Sequence, residues 1–146
     1  MTEWFECKVS YDKENEEGKM KKITEGYLVD ALSFTEAETV ITEEVSKFIT
    51  GGSDVKAVKK EKISEIFRSG EENEGIWFKA KVAFITVDEI SGKEKRTMVS
   101  MYQQSENMLT VAADLKENLK TSIVDWEIKA LTETKILDVY EHKDKA

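Results

Sequence analysis

The sequence predicts an α+β fold built from an internally duplicated β-β-α-β unit, with about six mostly antiparallel strands and two helices on one side. Three observations predict it. WFECKV at Trp4 returns as WFKAKV at Trp77, 73 positions further on. At the same offset, DVKAVKKEKISEIF from Asp54 lies without a gap over EIKALTETKILDVY from Glu127, with identities at Lys56/Lys129, Ala57/Ala130, Lys62/Lys135 and Ile63/Ile136. Between those ends each half shows a strand, a polar turn, a second strand and an amphipathic helix in the same order. A repeat at a fixed period of this size marks one structural unit used twice.

In the first strand Phe5, Cys7, Val9 and Tyr11 alternate with Trp4, Glu6, Lys8 and Ser10, the period-2 pattern of a half-buried strand. The acidic turn DKENEEG ends at Gly18, and a second strand over about 19–30 puts Ile23, Tyr27, Val29 and Ala31 on one face. Ser33 and Glu36 form a capping box, the hydroxyl accepting from the Glu36 amide and the carboxylate reaching back to Ser33. The helix that follows aligns Phe34, Ala37, Val40, Ile41, Val45, Phe48 and Ile49 in one stripe, and Gly51-Gly52 ends it. A long closing strand covers about 55–67, with a bulge or exposed bend at its polar centre KKEK.

The second unit repeats this order. Phe78, Ala80, Val82 and Phe84 line its first strand, DEISG turns the chain with Gly92 matching Gly18, and Lys95–Gln103 is the paired strand. Met108, Val111, Ala112, Leu115 and Leu119 mark a helix over about 108–121, and a closing strand spans about 124–140. The expected organisation is therefore one domain, 1–146, of two repeats (about 3–68 and 76–141) joined by a polar linker at 69–75, with a loose tail at 142–146. One such unit leaves a sheet face and a helix stripe partly uncovered, so the two copies are expected to share a core across a pseudo-twofold. Units that pair through closing strands can also exchange them between chains, which makes a homodimer an expectation.

Composition narrows the function. A formal net charge of −8 disfavours non-specific attraction to nucleic acid or anionic lipid, and only Arg68 and Arg96 supply guanidinium forks. No run approaches the 18 or so apolar residues of a membrane span, and MTEWFECK has neither the basic nor the apolar region of a signal peptide. A single cysteine, Cys7, rules out an internal disulfide. A cytoplasmic protein is expected. No catalytic residue, cofactor or metal site is assigned. The one histidine, His142, lies in the tail without an evident partner, Cys7 faces inward, and the acidic turns lack calcium-loop spacing.

Two groups of residues remain as candidates. Trp4 and Trp77, beside Lys8 and Lys81, read as aromatic anchors for a protein partner on a polar sheet face, or else as strand-end cover. Lys19, Lys21 and Lys22, matched by Lys93, Lys95 and Arg96, interleave with aromatics as in binders of single-stranded nucleic acid, although cross-strand ion pairs explain them equally well.

The strings EGYLVDALSFTEAE from Glu25 and DEISGKEKRTMVSMY from Asp88 resemble an uncharacterised family of small bacterial and phage proteins, a domain of unknown function, over nearly the whole chain. The resemblance implies a bacterial or phage setting and a compact domain, with no activity or binding residues attached. Within the first string Ser33 and Glu36 are capping residues, and Asp30 either helps cap the same helix or makes a surface contact. The functional expectation is a non-enzymatic binding or assembly module with a protein partner or a second copy of itself. The alternative is sequence-tolerant binding of single-stranded nucleic acid, and a small-molecule enzyme stands third.

Overall fold

In a computed structural model, which describes residues 2–49, 51–69 and 75–142, the chain is α+β, with eight strands and two helices. In order these are β1 (Glu3–Glu14), β2 (Met20–Ala31), α1 (Phe34–Ser46), β3 (Ser53–Glu61), β4 (Glu65–Phe67), β5 (Ile76–Val87), β6 (Glu94–Ser105), α2 (Met108–Leu119), β7 (Asp125–Glu133) and β8 (Ile136–Tyr140). They form two compact units, one of residues 1–62 with 135–146 and one of residues 63–134.

The first unit holds a mixed four-stranded sheet in the order β3-β1-β2-β8. β1 and β2 make a long antiparallel hairpin with Phe5 opposite Val29 and Cys7 opposite Tyr27. Its turn is closed by Asn15, whose Oδ1 accepts from the amides of Glu17 (3.0 Å) and Lys19 (2.9 Å). Gly18 takes φ +80°, a conformation open to glycine at little cost. β3 runs antiparallel to β1 with a register shift between Lys8 and Val9, whereas β8 joins the other edge parallel to β2. Much of the predicted inward face is buried, Phe5, Cys7, Val9, Tyr27, Val29 and Ala31 packing with Ala37, Ile41 and Val45 of α1, but alternation is lost at the end of β2, where Gly26 to Ala31 are all buried. Burying each large apolar side chain contributes about 1.5–3 kcal/mol.

The second unit has a sheet of the same kind, β4-β6-β5-β7. β5 and β6 form its hairpin, β7 pairs antiparallel with β5, and β4 pairs parallel with β6. The register shift on the β7 side falls between Lys81 and Val82, 73 positions after its counterpart. The hairpin turn is one residue longer: Asp88 Oδ1 accepts from Ile90 (2.8 Å) and Ser91 (3.1 Å), and Gly92 takes φ +71°. Beyond it the matching offset is 74, so that Trp4 opposite Asp30 becomes Trp77 opposite Gln104. Ala80, Val82, Met101, Leu115 and Leu119 form the core here.

Several expectations need correction. There are eight strands rather than about six, because each predicted closing strand breaks in two at 62–64 and at 134–135. The halves hydrogen-bond in different sheets: β3 and β8 lie in the first, β7 and β4 in the second. For the same reason each sheet is mixed, with one parallel pair. α1 ends at Ser46 with Lys47 as its cap, ahead of Gly51-Gly52. Its capping box is also modified. Ser33 Oγ accepts from the Glu36 amide (3.1 Å), but the Glu36 carboxylate receives the Leu32 amide (3.0 Å) instead of that of Ser33. α2 carries the full reciprocal box, between Asn107 and Thr110. Residues 70–74 of the expected linker and 143–146 of the expected tail lie outside the described residues.

Candidate functional site

A half-open cavity of about 480 Å³ lies in the first unit between α1 and β8. That volume is in the range of small-ligand sites. Glu36, Val40 and Glu44 enter it from one face of α1, being four residues apart on a helix. Asp30 comes from the end of β2, and Val139, Tyr140, Glu141 and His142 come from β8 and the residues after it. Both sides thus mix carboxylates with apolar groups, Val40 between Glu36 and Glu44 on the helix and Val139 and Tyr140 beside Glu141 on the strand side.

Each wall is positioned by the sheet. The parallel pairing sets Leu28 opposite Val139 and Val29 opposite Tyr140. The Tyr140 ring stacks on Tyr27 at 6.0 Å between centroids. Burial, followed by the charges of Asp138 and Glu44, pushes the Tyr140 phenol up to about 12, so it stays protonated at neutral pH. Tyr27 is held protonated more strongly still, by burial and then by donating to Glu25 Oε2 at 2.8 Å. The Glu25 carboxylate also accepts from Tyr11 at 2.6 Å, which raises that phenol to about 12. Asp30 is 2% exposed, which corrects the alternative of a surface contact. His142 has a partner after all: its Nε2 lies 2.8 Å from Glu36 Oε1, with the imidazole 13% exposed. Sequence spacing gave no warning of that contact, because only the pairing of β8 with β2 brings residue 142 to the start of α1.

In the corresponding corner of the second unit, side chains bond to one another. Counted from the helix caps, Thr110, Asp114 and Asn118 stand where Glu36, Val40 and Glu44 stand in the first unit. Ser105 Oγ donates to Asp114 Oδ2 (2.5 Å) and shares a hydrogen bond with Thr110 Oγ1 (2.7 Å). Asn118 Nδ2 donates to Gln103 Oε1 (2.8 Å), and the Ser69 amide donates to Gln104 Oε1 (3.1 Å). Gln103, Gln104 and Ser105 are buried, so these bonds offset the cost of taking polar groups from water.

The residues singled out from sequence fall elsewhere. Trp77 is 1% exposed, a correction to its expected place among charges on an open face. The Arg68 guanidinium lies 5.8 Å from the indole centroid, and Thr134 bonds the Trp77 carbonyl through its amide (3.0 Å) and hydroxyl (2.7 Å). Trp4 is half-buried, opposite Asp30 and Glu61. Lys8 and Lys81 are exposed at the two register shifts. Lys19, Lys21 and Lys22 are exposed in and beside the first hairpin turn, and Lys93 and Lys95 in and beside the second. Arg96 is engaged by Glu94 on its own strand (3.2 Å) and by Glu127 of β7 (2.8 Å), the latter being the cross-strand ion pairing weighed against nucleic-acid contact. Cys7 is buried, and burial followed by the charges of Glu6 and Glu38 pushes its thiol up to about 12, where it is a poor nucleophile.

Among the described residues no group of three His, Cys, Asp or Glu side chains is placed to hold a metal ion, and no helix is long and apolar enough to cross a membrane. No curated protein and no solved structure matches the chain. One family matches, over residues 3–142, which include both units and every residue lining the cavity. The chain belongs to the family described as Domain of unknown function (DUF4494).

Proposed function

We propose that this chain is a non-enzymatic binding module, made of two copies of a β-β-α-β unit, in which the first copy receives a ligand or partner segment and the second serves as scaffold. The observation that carries the reading is the first-unit cavity, open between α1 and β8 where the second unit spends its matching side chains on internal hydrogen bonds. Its chemistry favours an occupant with a basic end and a short apolar stem. Glu36, Glu44 and Glu141 supply acceptors for an ammonium or guanidinium, and Val40, Val139 and Tyr140 supply the apolar surface. Duplication is supported by the shared strand order and by register shifts 73 residues apart.

The test is titration of the full chain with n-butylammonium and methylguanidinium, followed by amide chemical shifts. Saturable shifts at Val40, Glu44 and Tyr140 that are weakened by Glu36→Gln with Glu44→Gln support the reading. The absence of any saturable shift in a folded protein removes it. Nucleic-acid binding is the weaker reading. The exposed lysines at the two hairpin turns keep it open, and a gel shift at low ionic strength tests it.

A further inference from the structure

Resting on that reading, we infer that His142 is an intramolecular competitor, a basic group of the chain itself seated on the carboxylate that an incoming basic ligand needs. Three observations meet here. The imidazole Nε2 lies 2.8 Å from Glu36 Oε1, so the cavity already holds a nitrogen donor against one of its carboxylates. The Glu36 carboxylate is held in place beside His142, because the same Oε1 accepts the Leu32 amide at 3.0 Å at the start of α1. His142 follows a strand of only five residues that meets the sheet along one edge, so the contact also ties down the end of β8. A ligand that takes Glu36 displaces His142 and loosens this end, and an intact His142 contact lowers the ligand's apparent affinity by the fraction of chains in which Glu36 is engaged.

His142→Ala in the full chain frees Glu36, and methylguanidinium should then bind about two- to fivefold tighter, the range of a partly exposed ion pair. His142→Gln keeps a neutral donor and should fall between. Without any ligand, His142→Ala should speed amide hydrogen exchange in Leu137–Tyr140 while leaving β4 unchanged. Tighter binding together with faster β8 exchange supports the inference. Binding that persists at wild-type affinity in His142→Ala overturns the competitor while leaving the site in place. Unchanged β8 exchange overturns the tie. A failure of wild type and both variants to bind overturns the site and the competitor together.

Discussion

The two units share a strand order, a hairpin register and a register shift at the same point, yet they finish their central hairpins in different chemistry. Where the first ends β2 in Val29, Asp30 and Ala31, the second ends β6 in Gln103, Gln104 and Ser105. Three buried polar residues demand partners: α2 meets Ser105 with Thr110 and Asp114 and Gln103 with Asn118, while Gln104 accepts from the Ser69 amide. In the first unit the helix presents Glu36, Val40 and Glu44 instead, and space remains between helix and strand. The matching corners thus differ in chemistry: side chains bond to each other in the second unit and line a cavity in the first.

The comparison predicts equal cores. Phe5 and Phe78 occupy matching, fully buried positions, and Phe5→Ala or Phe78→Ala should each cost about 3–5 kcal/mol in urea unfolding. Because the first unit is completed by β8, which follows the whole of the second unit in the chain, both variants should still unfold in one transition. A cost below about 1 kcal/mol at either position would break the equivalence.

Next in size is the hydrogen-bonded corner of the second unit. Ser105→Ala leaves the Asp114 carboxylate without its serine donor and should cost about 1–3 kcal/mol. Its mirror, Ala31→Ser, places a hydroxyl beside Val40 in the first unit and should also destabilise. Adding Val40→Asp should recover part of that loss by rebuilding the second unit's pair, and additive losses in the double variant would show that the two corners are not interchangeable.

The helix caps should differ by less. Asn107 accepts from both Leu109 (2.8 Å) and Thr110 (3.1 Å), whereas Ser33 accepts from Glu36 alone. Asn107→Ala should therefore cost about 1 kcal/mol and Ser33→Ala somewhat less, read from thermal melts.

Smallest is a pH effect tied to Tyr11, whose counterpart in the second unit is Phe84. Its phenol is raised to about 12 in the fold, chiefly by donating to Glu25. An unfolded tyrosine ionises near 10. The unfolded chain thus loses its proton first, and stability present below about pH 10 is lost as pH rises towards about 12. Tyr11→Phe should flatten that decline, and phenolate absorbance should show late ionisation in the folded protein.

Much of this architecture was legible in the residues. Alternation at Phe5, Cys7 and Val9, the stripe Ala37, Ile41 and Val45, and the turn glycines all mark real elements, because strand and helix periods follow directly from which face is buried. The breaks at 62–64 and 134–135 were not legible. Lys62/Lys135 and Ile63/Ile136 are identical in the two repeats, and the apolar pattern runs straight through them while the chain changes sheets. Backbone hydrogen bonding decides that change and leaves no side-chain period. The cavity was hidden for the same reason. His142 is distant in sequence from Asp30 and Glu36 and reaches their side of the fold only because β8 lies parallel to β2, while Trp77, prominent by its type, is inside.

Amide shifts under methylguanidinium titration test the central claim most directly, because matched positions in the two units report side by side. Saturable changes at Asp30, Val40, Glu44 and Tyr140, with Gln104, Asp114, Asn118 and Phe67 unmoved, are what a ligand site confined to the first-unit corner predicts. Equal changes in both sets, or changes only in the second, would contradict it.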